Sequence, residues 1–194
     1  MGKELSRMTN EELWQLFPII LREHDPSWPG KYSSEKQIIE RIIGNENIVR
    51  ISHIGSTSVP GLLAKPTIDI LVEITDGCDT EKIIGGMTEG GYIFSPKPEN
   101  PPPHMMFLKG YTPEGFKGQA YHVHVRFKGD WSELYFRDYL KDYKSVADEY
   151  AALKAELAET YEHDRDGYTD AKTDFINKYT ALARELYKDR YKIE

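Results

Sequence analysis

One stretch constrains the chain more than any other: Ile54-Gly55-Ser56-Thr57-Ser58-Val59-Pro60-Gly61-Leu62, followed after Leu63 by Ala64-Lys65-Pro66-Thr67-Ile68-Asp69-Ile70-Leu71-Val72-Glu73. A turn of small residues runs directly into an apolar strand, and that strand carries carboxylates. Gly55 lets a backbone approach a ligand with no Cβ in the way. Ser56, Thr57 and Ser58 offer hydroxyls and N–H groups to phosphate oxygens, and Lys65 offers a positive charge. Asp69 and Glu73 are carboxylates able to hold a metal ion against those oxygens. These are the parts of a site for a nucleotide or another phosphorylated small molecule.

The periodicity on either side places this stretch in an α/β (α+β) frame. Thr9 and Glu12 read as a capping box ahead of a helix with Leu13, Leu16, Phe17 and Ile20 on one face. Asp25-Pro26 and Trp28-Pro29-Gly30 read as breakers. A second helix is expected from Ser34, with Ile38, Ile39, Ile42 and Ile43 inward and Gly44 as its stop. The period then changes to two. Strands are expected at 48–53 and 68–74, a helix at 79–89 ended by Gly90-Gly91, and short strands at 92–95 and 105–109. The prolines between Pro96 and Pro103 read as an extended loop. A strand at 120–127 puts Tyr121, Val123, Val125 and Phe127 on one face and His122, His124 and Arg126 on the other. From Asp130, which with Glu133 resembles a cap, three helices are expected. The last carries Phe175, Ile176, Tyr179, Leu182 and Leu186 as its apolar stripe. The expected architecture is a mixed β-sheet covered by helices, a single domain over 1–194 with an α/β core to about residue 129 and a helical C-terminal part from about 130.

Composition bounds the function. A formal charge of −7 argues against general nucleic-acid binding, which needs a basic face, while leaving room for a local basic pocket. The single cysteine, Cys78, cannot form an internal disulfide. No apolar run is long enough to span a membrane, and the first residues lack the apolar core of a signal peptide, so no membrane partner and a cytoplasmic location are expected.

Several separated motifs occur in one order: Asp25-Pro26-Ser27-Trp28, His53 through Leu62, Ala64-Lys65-Pro66, His122-Val123-His124-Val125, Phe136-Arg137-Asp138-Tyr139-Leu140, and Tyr168, Ala171-Lys172 and Phe175-Ile176. Together they resemble the GrpB (UPF0157) family, itself similar to the nucleotidyltransferase superfamily. The resemblance implies a nucleotidyltransferase-like fold, a nucleotide ligand, a divalent metal (magnesium, manganese or zinc) and a transferase activity. In some proteins a domain of this family is fused to dephospho-CoA kinase, which implies the alternative of a catalytically silent module that binds a protein partner or assists folding.

The residues depart from the superfamily pattern at one place. Two carboxylates at i and i+2 of a strand point the same way and share metals. Here the position two after Asp69 is Leu71, and Glu73 lies one step further, roughly 14 Å along the strand from Asp69 at about 7 Å per same-face step. His122 and His124 are the candidates to complete the site, as metal ligands beside Asp69, as phosphate contacts or as a general base. An Asp with two His also suits a metal-dependent hydrolase. Lys172, beside Tyr168 and Asp170 at an expected helix start, joins Lys65 as a candidate phosphate ligand, the Tyr-Ala-Lys pattern being one the family carries. His53 is expected to orient the turn by a hydrogen bond, and Arg137 with Asp138 to form an ordinary helix ion pair.

Overall fold

The computed structural model describes residues 3–96 and 103–193. The period-two stretches pair into one five-stranded sheet: β1 (Ile48–Ile54), β2 (Thr67–Ile74), β3 (Ile93–Pro96), β4 (Met105–Thr112) and β5 (Gly115–Phe127), in the order β1-β2-β5-β4-β3. Only β2 and β5 run parallel; the other neighbours are antiparallel. β2 is covered on both faces, which is why it reads as a nearly unbroken apolar run, whereas β5 is buried on one face and half-buried on the other.

One face is closed by α2 (Trp28–Ile43) and α3 (Thr80–Glu89). Ile68, Ile70, Val72 and Ile74 of β2 and Tyr121, Val123 and Val125 of β5 meet Trp28, Ile39, Ile43, Ile83 and Met87 there in the main core. The other face looks towards α4 (Ser132–Asp142), α5 (Lys144–Thr160), α6 (Arg165–Asp170) and α7 (Thr173–Tyr187). Of these, α4, α5 and α7 pack a second core around Leu140, Val146, Tyr150 and Tyr179, against Val59 and Leu62 of the turn. A short helix, α1 (Asn10–Leu16), precedes the rest. Thr9 and Glu12 form its capping box, and Pro18 follows its last turn.

α1 ends at Leu16, ahead of Pro18, so Phe17 and Ile20, expected on its apolar face, lie beyond it. The structure corrects four further expectations. First, α2 begins at Trp28, not Ser34. Pro29 sits in the first turn, where no N–H is needed, and the Ser33 and Ser34 hydroxyls donate to Pro29 and Gly30 carbonyls as in a helix interior. Second, Asp130 and Glu133 do not cap α4. They pair instead with Arg184 and Arg126, at 2.5 and 2.8 Å. Third, four helices follow residue 130, because Asp164 caps the short α6 by accepting the Gly167 N–H at 2.8 Å. Fourth, α7 buries Tyr179, Thr180 and Ala183, while Leu182 and Leu186 are exposed. The β4–β5 hairpin also extends beyond the expected strands, held at its turn by Thr112 and Gly115. Residues 97–102, most of the expected proline loop, lie outside the described residues. Among the described residues no helix is long and apolar enough to cross a membrane.

Candidate functional site

Parallel pairing puts β2 and β5 in register: Asp69 beside His122, Leu71 beside His124, Glu73 beside Arg126. Paired positions face the same way, so these side chains line the face turned to the C-terminal helices. Nδ1 of His122 lies 3.3 Å and Nε2 of His124 4.0 Å from Oδ1 of Asp69. One donor atom from each of the three falls within 4.8 Å of the others. On the far side of His122, Nε2 is 2.6 Å from the Tyr111 hydroxyl, an outer contact of the kind that orients a metal-binding imidazole.

The turn is fitted to this cluster. Gly55 has φ 68°, a left-handed conformation that favours glycine, and a Cβ there would collide with the Asp69 carboxylate. Ser56 follows at the rim of a cavity of about 170 Å³ lined also by Asp69, His122, Lys65, Lys154 and Lys172. Lys154 arrives from α5 and Lys172 from the start of α7; they are only 3% and 8% exposed. Lys154 Nζ donates to Ser56 Oγ at 3.1 Å and to the Leu63 carbonyl. Lys172 and Lys65 both meet the Tyr168 ring, their Nζ atoms 3.8 and 5.3 Å from its centre.

Burial sets the charge states. It pushes Lys154 and Lys172 down to about 7 and Lys65 to about 8, with the neighbouring cations adding to the effect. Burial likewise pushes His124 down to about 4 against the pull of Asp69, leaving a neutral imidazole at neutral pH. Burial alone would raise Asp69, but the hydrogen bond from His122 and the nearby His122, His124 and Lys65 hold it below the ordinary carboxylate range. A carboxylate and two imidazoles make a donor set suited to zinc, manganese or iron and ill suited to magnesium.

A wider groove of about 740 Å³ adjoins the lysine cavity and shares Gly55, Ser56, Asp69 and Tyr150 with it. Its walls are mostly apolar, from Ile54, Trp131, Phe136, Leu140 and Ile176, with Arg126 and Arg137 at the side. The Thr180 hydroxyl on this wall and the Tyr168 hydroxyl are buried without a hydrogen-bond partner among the described residues.

The model of the GrpB protein family matches residues 18–182. The chain belongs to the GrpB family. It is 37% identical to a UPF0157 protein of Pseudomonas aeruginosa over 86% of this chain and 67% of that one. It is 36% identical to the glutamate-rich protein GrpB of Alkalihalophilus pseudofirmus, over 82% of this chain and 92% of that one. The crystal structure of the conserved protein GrpB from Enterococcus faecalis superposes with a TM-score of 0.76 at 30% identity, over 87% of this chain and 99% of that chain.

Within this GrpB-family site the sequence-predicted residues divide. Gly55, Ser56, Lys65, Asp69, His122 and Lys172 meet in the lysine cavity, and His124 faces Asp69 from the groove. Glu73 does not join them. Its carboxylate is fully buried and accepts from Arg50 Nε, from Arg50 Nη2 at 2.8 Å and from the Gly129 N–H at 3.1 Å. Leu71, between them, packs on Ile54 and Leu134. Thr57 and Ser58 also turn inward. Thr57 donates to the Thr67 carbonyl at 3.1 Å, and Ser58 to the Gly55 carbonyl at 2.6 Å. His53 Nε2 lies 3.0 Å from the Thr57 hydroxyl. Since that hydroxyl's proton goes to Thr67, the imidazole donates, holding the turn as expected. Arg137 pairs with Asp138 as expected and additionally donates to the His53 carbonyl at 3.1 Å.

Lys154 and Tyr111 escaped the sequence reading. Lys154 had a signal: it follows Ala147 and Tyr150 at helical spacing, so a lysine occupies a core position of α5. Tyr111 had none, since it lies where the hairpin extends past its apolar alternation.

Proposed function

We propose that this protein binds a nucleotide or another phosphorylated small molecule together with a divalent transition metal, and transfers a nucleotidyl group. The convergence of Asp69, His122 and His124 with Lys65, Lys154 and Lys172 on one small cavity carries this reading. Three lysines around one carboxylate leave an excess of positive charge that a phosphate chain neutralises. The adjoining apolar groove has room for the organic part of such a ligand.

In this reading Asp69, His122 and His124 would hold the metal, which would supply Lewis-acid polarisation to the bound phosphate. Ser56, Lys154 and Lys172 hold the terminal phosphates and neutralise the charge that grows on departing pyrophosphate as an acceptor hydroxyl attacks the α-phosphorus. Gly55 keeps the turn close to Asp69, so ligand and metal sites share one wall. Leu71 at the second carboxylate position favours a different reading, a silent module that binds ligand or a protein partner without turnover.

Thermal shift with a panel of nucleotides, each with magnesium, manganese or zinc, on wild type, Asp69→Asn and Lys154→Gln, tests the proposal. The expected outcome is a shift with nucleotide plus manganese or zinc, lost in Asp69→Asn and reduced in Lys154→Gln. No shift with any combination overturns it in favour of the silent module. Release of phosphate without transfer to an acceptor assigns a hydrolase.

A further inference from the structure

On the far side of Lys65 lies a second cavity, of about 340 Å³, that the phosphate reading does not use. It shares Lys65 and Thr67 with the lysine cavity and is otherwise lined by different residues. Pro18, Ile20, Pro66 and Phe116 form an apolar floor, and Arg22 and Arg165 stand at its edge beside Lys65. Ile20 and Phe116 are 40% and 42% exposed, unusual for large apolar side chains that flank a cavity.

The charges are the decisive feature. The chain carries a formal −7, yet Arg22, Lys65 and Arg165 gather around this cavity, and none of them forms an ion pair among the described residues. Arg165 donates through Nη1 to the Phe17 carbonyl at 3.2 Å, which fixes its guanidinium with donors to spare. The Arg22 backbone is clamped to Ala64, N–H to carbonyl at 2.8 Å and the reverse at 2.9 Å, so its side chain springs from a fixed point. Gln119 spends its amide N–H groups on the Pro66 and Ala120 carbonyls. We infer that this cavity binds a small carboxylic acid with an apolar body, its carboxylate held by Arg22, Arg165 and Lys65 and its body on Ile20 and Phe116. Guanidinium forks match a carboxylate in two-point geometry, and the apolar floor excludes a bare inorganic anion as the best occupant.

The cavity also connects to the first site. Phe116 packs edge-on and tilted against Phe17 and Tyr111, at 5.0 and 5.2 Å between ring centres, and Tyr111 holds His122. A carboxylate beside Lys65 thus sits next to the proposed phosphate site, where a second substrate would have to wait. The inference stands apart from the metal and nucleotide reading, with which it shares only Lys65 and Thr67.

The experiment is an NMR titration of the ¹⁵N-labelled full chain with phenylacetate, benzoate and hexanoate, and with phenylacetamide as the uncharged control. Phenylacetate or one of its fellow acids is expected to shift the amides of Gly118, Gln119 and Ala120. The amide control and the Arg22→Gln variant are each expected to bind about tenfold more weakly or worse. Lys154→Gln is expected to bind the acid as wild type does. Because only the Arg22 backbone holds Ala64, the variant keeps its fold, which an unchanged melting temperature verifies. Equal binding of acid and amide, shifts confined to Gly55 and Ser56 with loss in Lys154→Gln, or no binding of any of the three acids at millimolar concentration each overturns the inference. Failure of the nucleotide reading shows instead in Asp69→Asn and leaves the acid titration unmoved.

Discussion

Gly55 is the residue at which backbone and chemistry meet. Its left-handed φ and its contact with Asp69 both exclude a side chain. Gly55→Ala is expected to cost about 2 kcal/mol or more, read by urea denaturation, since the strain of a positive φ with ψ near 180°, a region nearly restricted to glycine, and a displaced carboxylate add. Glu73 makes the opposite case, a carboxylate whose role is structural. Removing its charge in Glu73→Gln leaves Arg50 opposite an uncharged buried amide and is expected to destabilise by about 3 kcal/mol. Metal affinity, measured by calorimetry with manganese or zinc, is expected to stay as in wild type; a loss of metal binding without loss of stability would return Glu73 to the metal site. From sequence, Asp69 and Glu73 looked like partners because strand alternation puts both on one face. What separates them is the neighbour each meets: His122 across β5 for one, Arg50 across β1 for the other.

At the scale of elements, α5 and α7 bring buried lysines to a site that the strands alone would leave short of charge. Lys154 and Lys172 have folded-state pKa values near 7, below the ordinary lysine value, so the unfolded chain binds more protons between about pH 7 and 10. Their contribution to stability is therefore least favourable at and below pH 7 and rises as pH is raised towards 10. Lys154→Met is expected to flatten that rise and to stabilise the anion-free protein at pH 7 by about 1 kcal/mol, measured by chemical denaturation across pH. Anion binding runs the other way, because it needs the protonated amines. Sulfate, whose charge is constant over the range, is expected to bind less tightly by about tenfold per pH unit above 7 for each lysine that must be protonated. A flat profile in calorimetry counts against the lysine cavity as an anion site. Element boundaries were partly legible. The helix expected at 79–89 appears as α3, with Asp79 as its cap rather than its first turn, and the Thr9–Glu12 box was written in the sequence because the bonds it makes are local. The start of α2 and the buried face of α7 were not, because Trp28 and Tyr179 are claimed by partners far along the chain.

At the scale of the molecule, the site lies between two bodies of structure that the sequence separates near residue 130. Asp69, His122 and His124 come from the sheet, Lys154 and Lys172 from the helices. A ligand that bridges them ties the two together, so calorimetric unfolding is expected to show one transition that moves upward as a whole with bound ligand. Two transitions, only one of them ligand-sensitive, would show that the helices hold the site less firmly than their packing implies. Amide exchange is expected to be slowest in β2, which is interior to the sheet and buried on both faces, and in the Ala120–Val125 part of β5 paired with it.

The sequence by itself determined the periods, and with them the strands and the helical C-terminal part, which follow from local alternation and capping and need no knowledge of what lies across the chain. Its ordered motifs, not its periods, carried the family resemblance. It also marked Gly55 and Ser56, as a turn of small residues, and Asp69, His122 and His124, because carboxylate and imidazole on otherwise apolar strands demand partners. Only the tertiary structure decided who those partners are. Parallel pairing of β2 with β5 set Asp69 beside His122, the β1 register gave Glu73 to Arg50, and packing of α5 against the turn drove Lys154 into the cavity. Register and helix packing are settled by the fit of whole surfaces, and a residue's function here depends on that fit more than on its place in the chain.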